Sequence, residues 1–213
     1  MSDRIKLTEE YILRELPVIE TFKKCTKQMC DYRIEHTFRV AKIGRAIAEA
    51  EGLDVERTVI GCLLHDIGYT VRYKDMSDYR NHGRNGARIA RGFLKDLGFS
   101  DYETDEICYG IAVHVDNVSD FEFTHTPLSR TIGDSDQIDR FDAYRLYEGL
   151  HTVDYMNLPL EKKRECCEAN LKKLRRYIKL EFGTETATRM WREKIAYQIG
   201  FYERLLNQVM NSR

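Results

Sequence analysis

Apolar residues recur at three- and four-residue intervals through most of the chain and strand-like alternation is nearly absent, so the pattern predicts an all-α fold. A first helix is expected over about residues 8–28. A second runs over about 32–51 and stops at Gly52, a residue suited to the position just past a helix end. Asp54 caps a third helix, which ends near Asp66 with Gly68 just beyond. Residues 82–97, followed by Gly98, read as a fourth helix, and residues 104–114 as a fifth. The stretch 115–125 is polar and aromatic by turns and reads as a loop. Thr126 followed by Pro127 has the form of an N-cap with proline at the first helical position, so a further helix starts there and carries Asp136. Residues 160–210 read as two long amphipathic helices broken at Gly183. No Pro-, Gly- or Ser-rich linker divides the sequence. The expectation is one domain over 1–213, with a functional core at about 30–145 and a C-terminal helical extension at about 146–213.

Ionisable residues interrupt these apolar stripes at telling places. Val40, Ile43 and Ile47 share a face that leads back one turn to His36. Val55, Val59 and Cys62 lead forward to Asp66, with His65 beside it. Leu97, Phe93, Ile89 and Gly86 lead back to His82, and Ile107 and Ile111 lead forward to His114. Leu128 and Ile132 lead to Asp136. A lone histidine on such a face is ordinarily a core residue bonded to a carbonyl, and Asp134 and Asp139 compete with Asp136. The set as a whole asks for a shared explanation, because burying an unpartnered polar group costs several kcal/mol each time. One cation pairs the carboxylates and uses the imidazole lone pairs together. Gly86 and Gly110, one turn from His82 and His114, are read as leaving room for a ligand.

Composition narrows the function classes. With 42% hydrophobic and 32% charged residues over 213 positions, the chain has the makeup of a folded globular protein. Its formal net charge of −1 offers no overall attraction to nucleic acid or anionic lipid. The basic stretch 161–179 reads as the solvated face of an amphipathic helix, with too few interleaved aromatics for a strand-binding platform. No apolar run reaches the length of a membrane span, and residues 1–6 are too polar to open a secretory signal, so the cytoplasm is expected. The six cysteines form no C-x-x-C pair, and reduced thiols explain them better than zinc ribbons or disulfides.

The residues around these stripes, Ile34-Glu35-His36-Thr37-Phe38-Arg39-Val40-Ala41, Cys62-Leu63-Leu64-His65-Asp66-Ile67-Gly68-Tyr69, His82 with Gly86-Ala87, Ile111-Ala112-Val113-His114 and Gly133-Asp134-Ser135-Asp136-Gln137-Ile138-Asp139, resemble the HD-domain superfamily of metal-dependent phosphohydrolases. The resemblance covers about residues 30–145. It implies a helical bundle around a central metal, with additional helices at the C-terminal end. The superfamily's four ligand positions fall on His36, His65, Asp66 and Asp136, and its additional histidines on His82 and His114. Val115 follows His114, so the paired histidines of the cyclic-dinucleotide phosphodiesterases are missing.

The expected chemistry follows. A mixed imidazole and carboxylate site suits Mn²⁺, Fe²⁺, Mg²⁺, Co²⁺, Ni²⁺ or Zn²⁺, one or two per chain. The metal would activate a water that Asp66 helps to orient, while His82 and His114 bind a second ion, hold phosphate or protonate the leaving oxygen. Arg72, Lys74, Arg80, Arg84 and Arg140 are the nearby cations that could meet phosphate. The expected partner is a small phosphorylated substrate, a nucleotide first among them. A di-iron oxygenase using all six residues and a non-catalytic nucleotide sensor are the alternatives.

Overall fold

Capping residues set where the helices begin. The computed structural model describes residues 2–18 and 26–212, apart from the side chains at positions 77 and 78. Ser2 accepts from the Ile5 N–H and opens α1 (Asp3–Glu15). The helix expected over 8–28 therefore starts earlier and ends sooner. It gives way to a 3-10 turn at Leu16–Val18, where Pro17 lacks the N–H that would continue the ladder. Residues 19–25, including Cys25, lie outside the described residues.

Thr26 caps α2 (Lys27–Glu51), which thus begins five residues before the expected start. Gly52 closes it at φ +67, a conformation that glycine adopts without steric cost. Asp54 accepts from the Arg57 N–H at 2.9 Å and opens α3 (Val55–Leu64). A 3-10 turn at Ile67–Thr70 and a short helix, α4 (Met76–Arg80), follow. Neither was legible in the apolar pattern. Next come α5 (His82–Asp96) and α6 (Asp101–Val113). The latter starts earlier than expected because Ser100 and Glu103 form a reciprocal capping box. Thr126 Oγ1 accepts from the Ser129 N–H at 3.0 Å ahead of α7 (Pro127–Arg140). The remaining helices are α8 (Ala143–Thr152), α9 (Leu160–Tyr177) and α10 (Glu185–Met210). Among the described residues there is no strand.

The chain forms two compact units, Met1–Asp139 and Arg140–Arg213. In the first, α3 lies between α1, α2 and α6, and α5 packs on α6. Its Ile60, Leu63 and Leu64 are wholly buried, in keeping with a helix that is apolar nearly all round. In the second, α9 pairs with α10. Trp191 anchors this unit, in edge or tilted contact with Phe141, Tyr177 and Phe182, while its Nε1 donates to the Tyr177 carbonyl at 2.7 Å. Among the described residues no helix is long and apolar enough to cross a membrane.

Candidate metal centre

Helix ends supply most of the site. The last carbonyls of a helix have no partner within it, and His65 and His114, at the C-terminal ends of α3 and α6, use them. His65 Nδ1 meets the Cys62 carbonyl at 2.7 Å and His114 Nδ1 the Ile111 carbonyl at 2.6 Å. His82, at the start of α5, sets Nδ1 against the Tyr79 carbonyl at 2.8 Å. His36 sits within α2, where the carbonyls are engaged, and its Nδ1 turns instead to Asp139 Oδ2 on α7 at 2.7 Å. In all four rings a fixed Nδ1–H leaves the Nε2 lone pair free to face inward.

The four Nε2 atoms converge on one carboxylate. Asp66 Oδ2 lies 3.7 Å from Nε2 of His36 and 3.2 Å from that of His65. Asp66 Oδ1 lies 3.5 Å from Nε2 of His82 and 3.6 Å from that of His114. Asp136 Oδ1 adds a contact of 3.1 Å to His36 Nε2 and one of 3.9 Å to His65 Nε2. Two donors bound at about 2.0–2.2 Å to one ion can be at most about 4.4 Å apart, and every one of these separations satisfies that limit. Two buried groups, His36 with His65 and Asp66, and Asp66 with His82 and His114, are each able to hold a metal ion. The Nε2 atoms of His36 and His65 are buried and make no hydrogen bond. Buried polar atoms are rarely left so, and a cation is the partner that such lone pairs accept. The donor set therefore fits a divalent ion.

The charges are balanced around this core. Arg33 pairs with Asp66 Oδ2, and Arg39 grips Asp139 through Nε at 2.8 Å and Nη2 at 3.1 Å. Burial opposes ionisation of Asp66, but Arg33 and His65 outweigh it and hold the carboxyl well below its usual range. Burial likewise disfavours the imidazolium at His36, yet Asp136, Asp139 and Asp66 raise its pKa to about 9. At His82 burial prevails and the pKa falls to about 4.

The structure brings His36, His65, Asp66, His82, His114 and Asp136 together, and it separates the three candidate aspartates of α7. Asp136 faces the centre and Asp139 stands behind His36, whereas Asp134 is only half-buried. Arg72, Lys74, Arg80 and Arg140 are exposed, and Arg84 is held by Asp116 at 3.0 Å and by Asn81. The cation on Asp66 is Arg33, which nothing in the apolar pattern singles out. The glycine reading also changes. A Cβ on Gly110 would lie 2.6 Å from Ile132 Cδ1 and 2.8 Å from the Ser129 carbonyl, and one on Gly86 would lie 3.2 Å from the Gly68 nitrogen. These glycines let neighbouring elements approach closely, and they clear no room for a ligand. On α9, Lys162, Arg164 and Arg175 pair with glutamates along a solvated face.

Comparison with known proteins agrees with this geometry. A family model of the HD domain matches residues 33–144, more than half of the chain. The chain belongs to the HD-domain family. A solved relative of this HD-domain protein, described as a predicted HD superfamily hydrolase from an uncultured Thermotogales bacterium, shares the fold. Its TM-score is 0.64 at 23% identity, covering 95% of this chain and 91% of that one. Shorter stretches resemble ribonuclease Y. The match is 41% identical over 63 residues in the Mycoplasma mycoides protein and 42% identical over 60 residues in that of Pseudothermotoga lettingae. These stretches make up 30% and 28% of the HD-domain chain, but only 14% and 11% of the relatives.

Proposed function

We propose that this HD-domain protein is a divalent-metal-dependent phosphohydrolase acting on a small phosphorylated substrate, a nucleotide first among them, in the cytoplasm. The observation that carries this reading is the convergence of four fixed imidazoles on both oxygens of Asp66. His36, His65, Asp66 and Asp136 hold the metal, which can be Mn²⁺, Fe²⁺, Mg²⁺, Co²⁺, Ni²⁺ or Zn²⁺. A divalent cation in such a site polarises a phosphoryl oxygen and lowers the pKa of a water beside it.

The protein's own residues do the rest. Asp66, 3% exposed at its side chain, presents one oxygen to each pair of histidines and so orients a water between them. His82 and His114, fixed through Nδ1, offer only Nε2, which can take a second ion, hold a phosphoryl oxygen or protonate the leaving oxygen. The partial likeness to ribonuclease Y supports chemistry at a phosphate ester. The overall charge of −1 and the paired basic residues of α9 favour a small substrate over a nucleic acid.

The test is a panel of nucleotides and phosphoesters assayed with several divalent metals, with D66A as control. Metal-dependent turnover that is lost on chelation and in D66A supports the reading, and turnover that survives both refutes it. The placement of Asp66 between two metal-competent groups also suits a pair of irons. Two irons per chain with oxygen consumption and no phosphate release would assign an oxygenase instead.

A further inference from the structure

Arg33 stands one turn before His36 on α2, so the two side chains share a face. Its guanidinium pairs with Asp66 Oδ2, the oxygen that also faces Nε2 of His36 and His65. It lies over the Tyr69 ring at 4.1 Å. That ring stacks on His82 at 4.5 Å between centroids, and its hydroxyl meets the Tyr79 hydroxyl at 2.5 Å. The guanidinium plane is thus held on an aromatic platform that is itself part of the centre. The Arg33 side chain is 21% exposed, against 3% for Asp66.

The pairing of Arg33 with Asp66 differs from that of Arg39 with Asp139. Arg39 supports an outer carboxylate, whereas Arg33 occupies an oxygen that a bound cation needs. A divalent ion at that oxygen sets two positive charges side by side, and an anion on the ion relieves them both. A guanidinium presents its N–H groups in a planar fork that matches two phosphoryl oxygens.

We propose that Arg33 is a phosphoryl-binding residue: held beside Asp66 on the Tyr69 ring, it offers its N–H groups to a phosphoryl dianion at the centre. Tyr69 keeps the plane of the fork in place. This assignment rests on reading the centre as a phosphoryl site.

The experiment is calorimetric titration of full-length protein, first with Mn²⁺ and then, once loaded, with inorganic phosphate. R33Q is expected to bind Mn²⁺ at least as tightly as wild type and to bind phosphate about 10- to 100-fold more weakly. R33K keeps the charge and loses the fork, so its phosphate affinity falls between the two; it also serves as the test if circular dichroism shows R33Q unfolded. Phosphate affinity equal to wild type in whichever variant folds overturns the proposal, as does a loaded wild type that binds no phosphate. Phosphate binding needs no turnover. A chain that hydrolyses nothing in the panel, yet loses phosphate in R33Q, keeps the Arg33 assignment and loses the hydrolase reading. An active enzyme with unchanged phosphate affinity in R33Q does the reverse.

Discussion

Substituting Asp139 with asparagine tests the outer layer of the centre with little change of shape. The carboxylate uses both oxygens as acceptors. Oδ2 takes His36 Nδ1–H at 2.7 Å and Arg39 Nη2 at 3.1 Å, while Oδ1 takes Arg39 Nε at 2.8 Å. An amide has one acceptor oxygen, so its NH₂ must face either the imidazole N–H or the guanidinium. Arg39 is 31% exposed and can swing toward water, whereas His36 is 1% exposed and cannot. The amide oxygen is therefore expected on His36, which keeps its tautomer but loses the negative charge behind its ring. Losing an outer partner of a metal-bound histidine costs about 10- to 100-fold in affinity, or about 1.4–2.8 kcal/mol at about 1.4 kcal/mol per tenfold. Calorimetric titration of Mn²⁺ into wild type and D139N measures it directly. Affinity within about threefold of wild type would refute the view that Asp139 orients and charges His36.

Other outcomes follow from the same geometry. Metal-free protein should be most stable near pH 6.5. His36, raised to about 9 against burial by Asp136, Asp139 and Asp66, contributes stability that is full below about 6.5 and lost as pH rises through about 9. His82, lowered by burial to about 4, contributes stability that is full above about 6.5 and lost as pH falls through about 4. Thermal melts across pH should show both limbs, and H36N should flatten the alkaline one; an unchanged alkaline limb would contradict the assignment. G110A sets a Cβ 2.6 Å from Ile132 Cδ1 and should cost about 1–3 kcal/mol from overpacking, read as a melting point lower by about 2–12 °C. A melting point equal to wild type would mean that α6 and α7 can separate freely. H82A combined with H114A should still take up the ion at His36 and His65 while turnover falls at least about 100-fold; loss of that first ion as well would show that the two groups are one.

Helix punctuation was legible where one residue does a local job. Gly52, Asp54, Gly98 and the Thr126-Pro127 pair act where they were expected. The six inward-facing residues were visible because each ends or interrupts an apolar stripe, a pattern that costs too much without a common partner. Arg33 was not visible. An arginine one turn from His36 looks like any solvated helix charge until tertiary packing sets Asp66 and Tyr69 beside it. Asp136 and Asp139 lie three residues apart on one face of α7, so sequence alone could not say which meets Nε2 of His36 and which meets Nδ1. Gly86 and Gly110 were noticed as absent side chains, but what fills their space is the neighbouring backbone and Ile132, and only the packing of elements reveals that. The 3-10 turn at Ile67–Thr70 and the five-residue α4 are too short to write a stripe.

Anomalous diffraction from crystals soaked in Mn²⁺ tests the central claim most directly. The account predicts a strong peak at about 2–2.3 Å from Nε2 of His36 and His65 and from Asp66 Oδ2, with the four imidazoles still fixed through Nδ1. Manganese bound only elsewhere on the surface, with those donors turned away from one another, would contradict it.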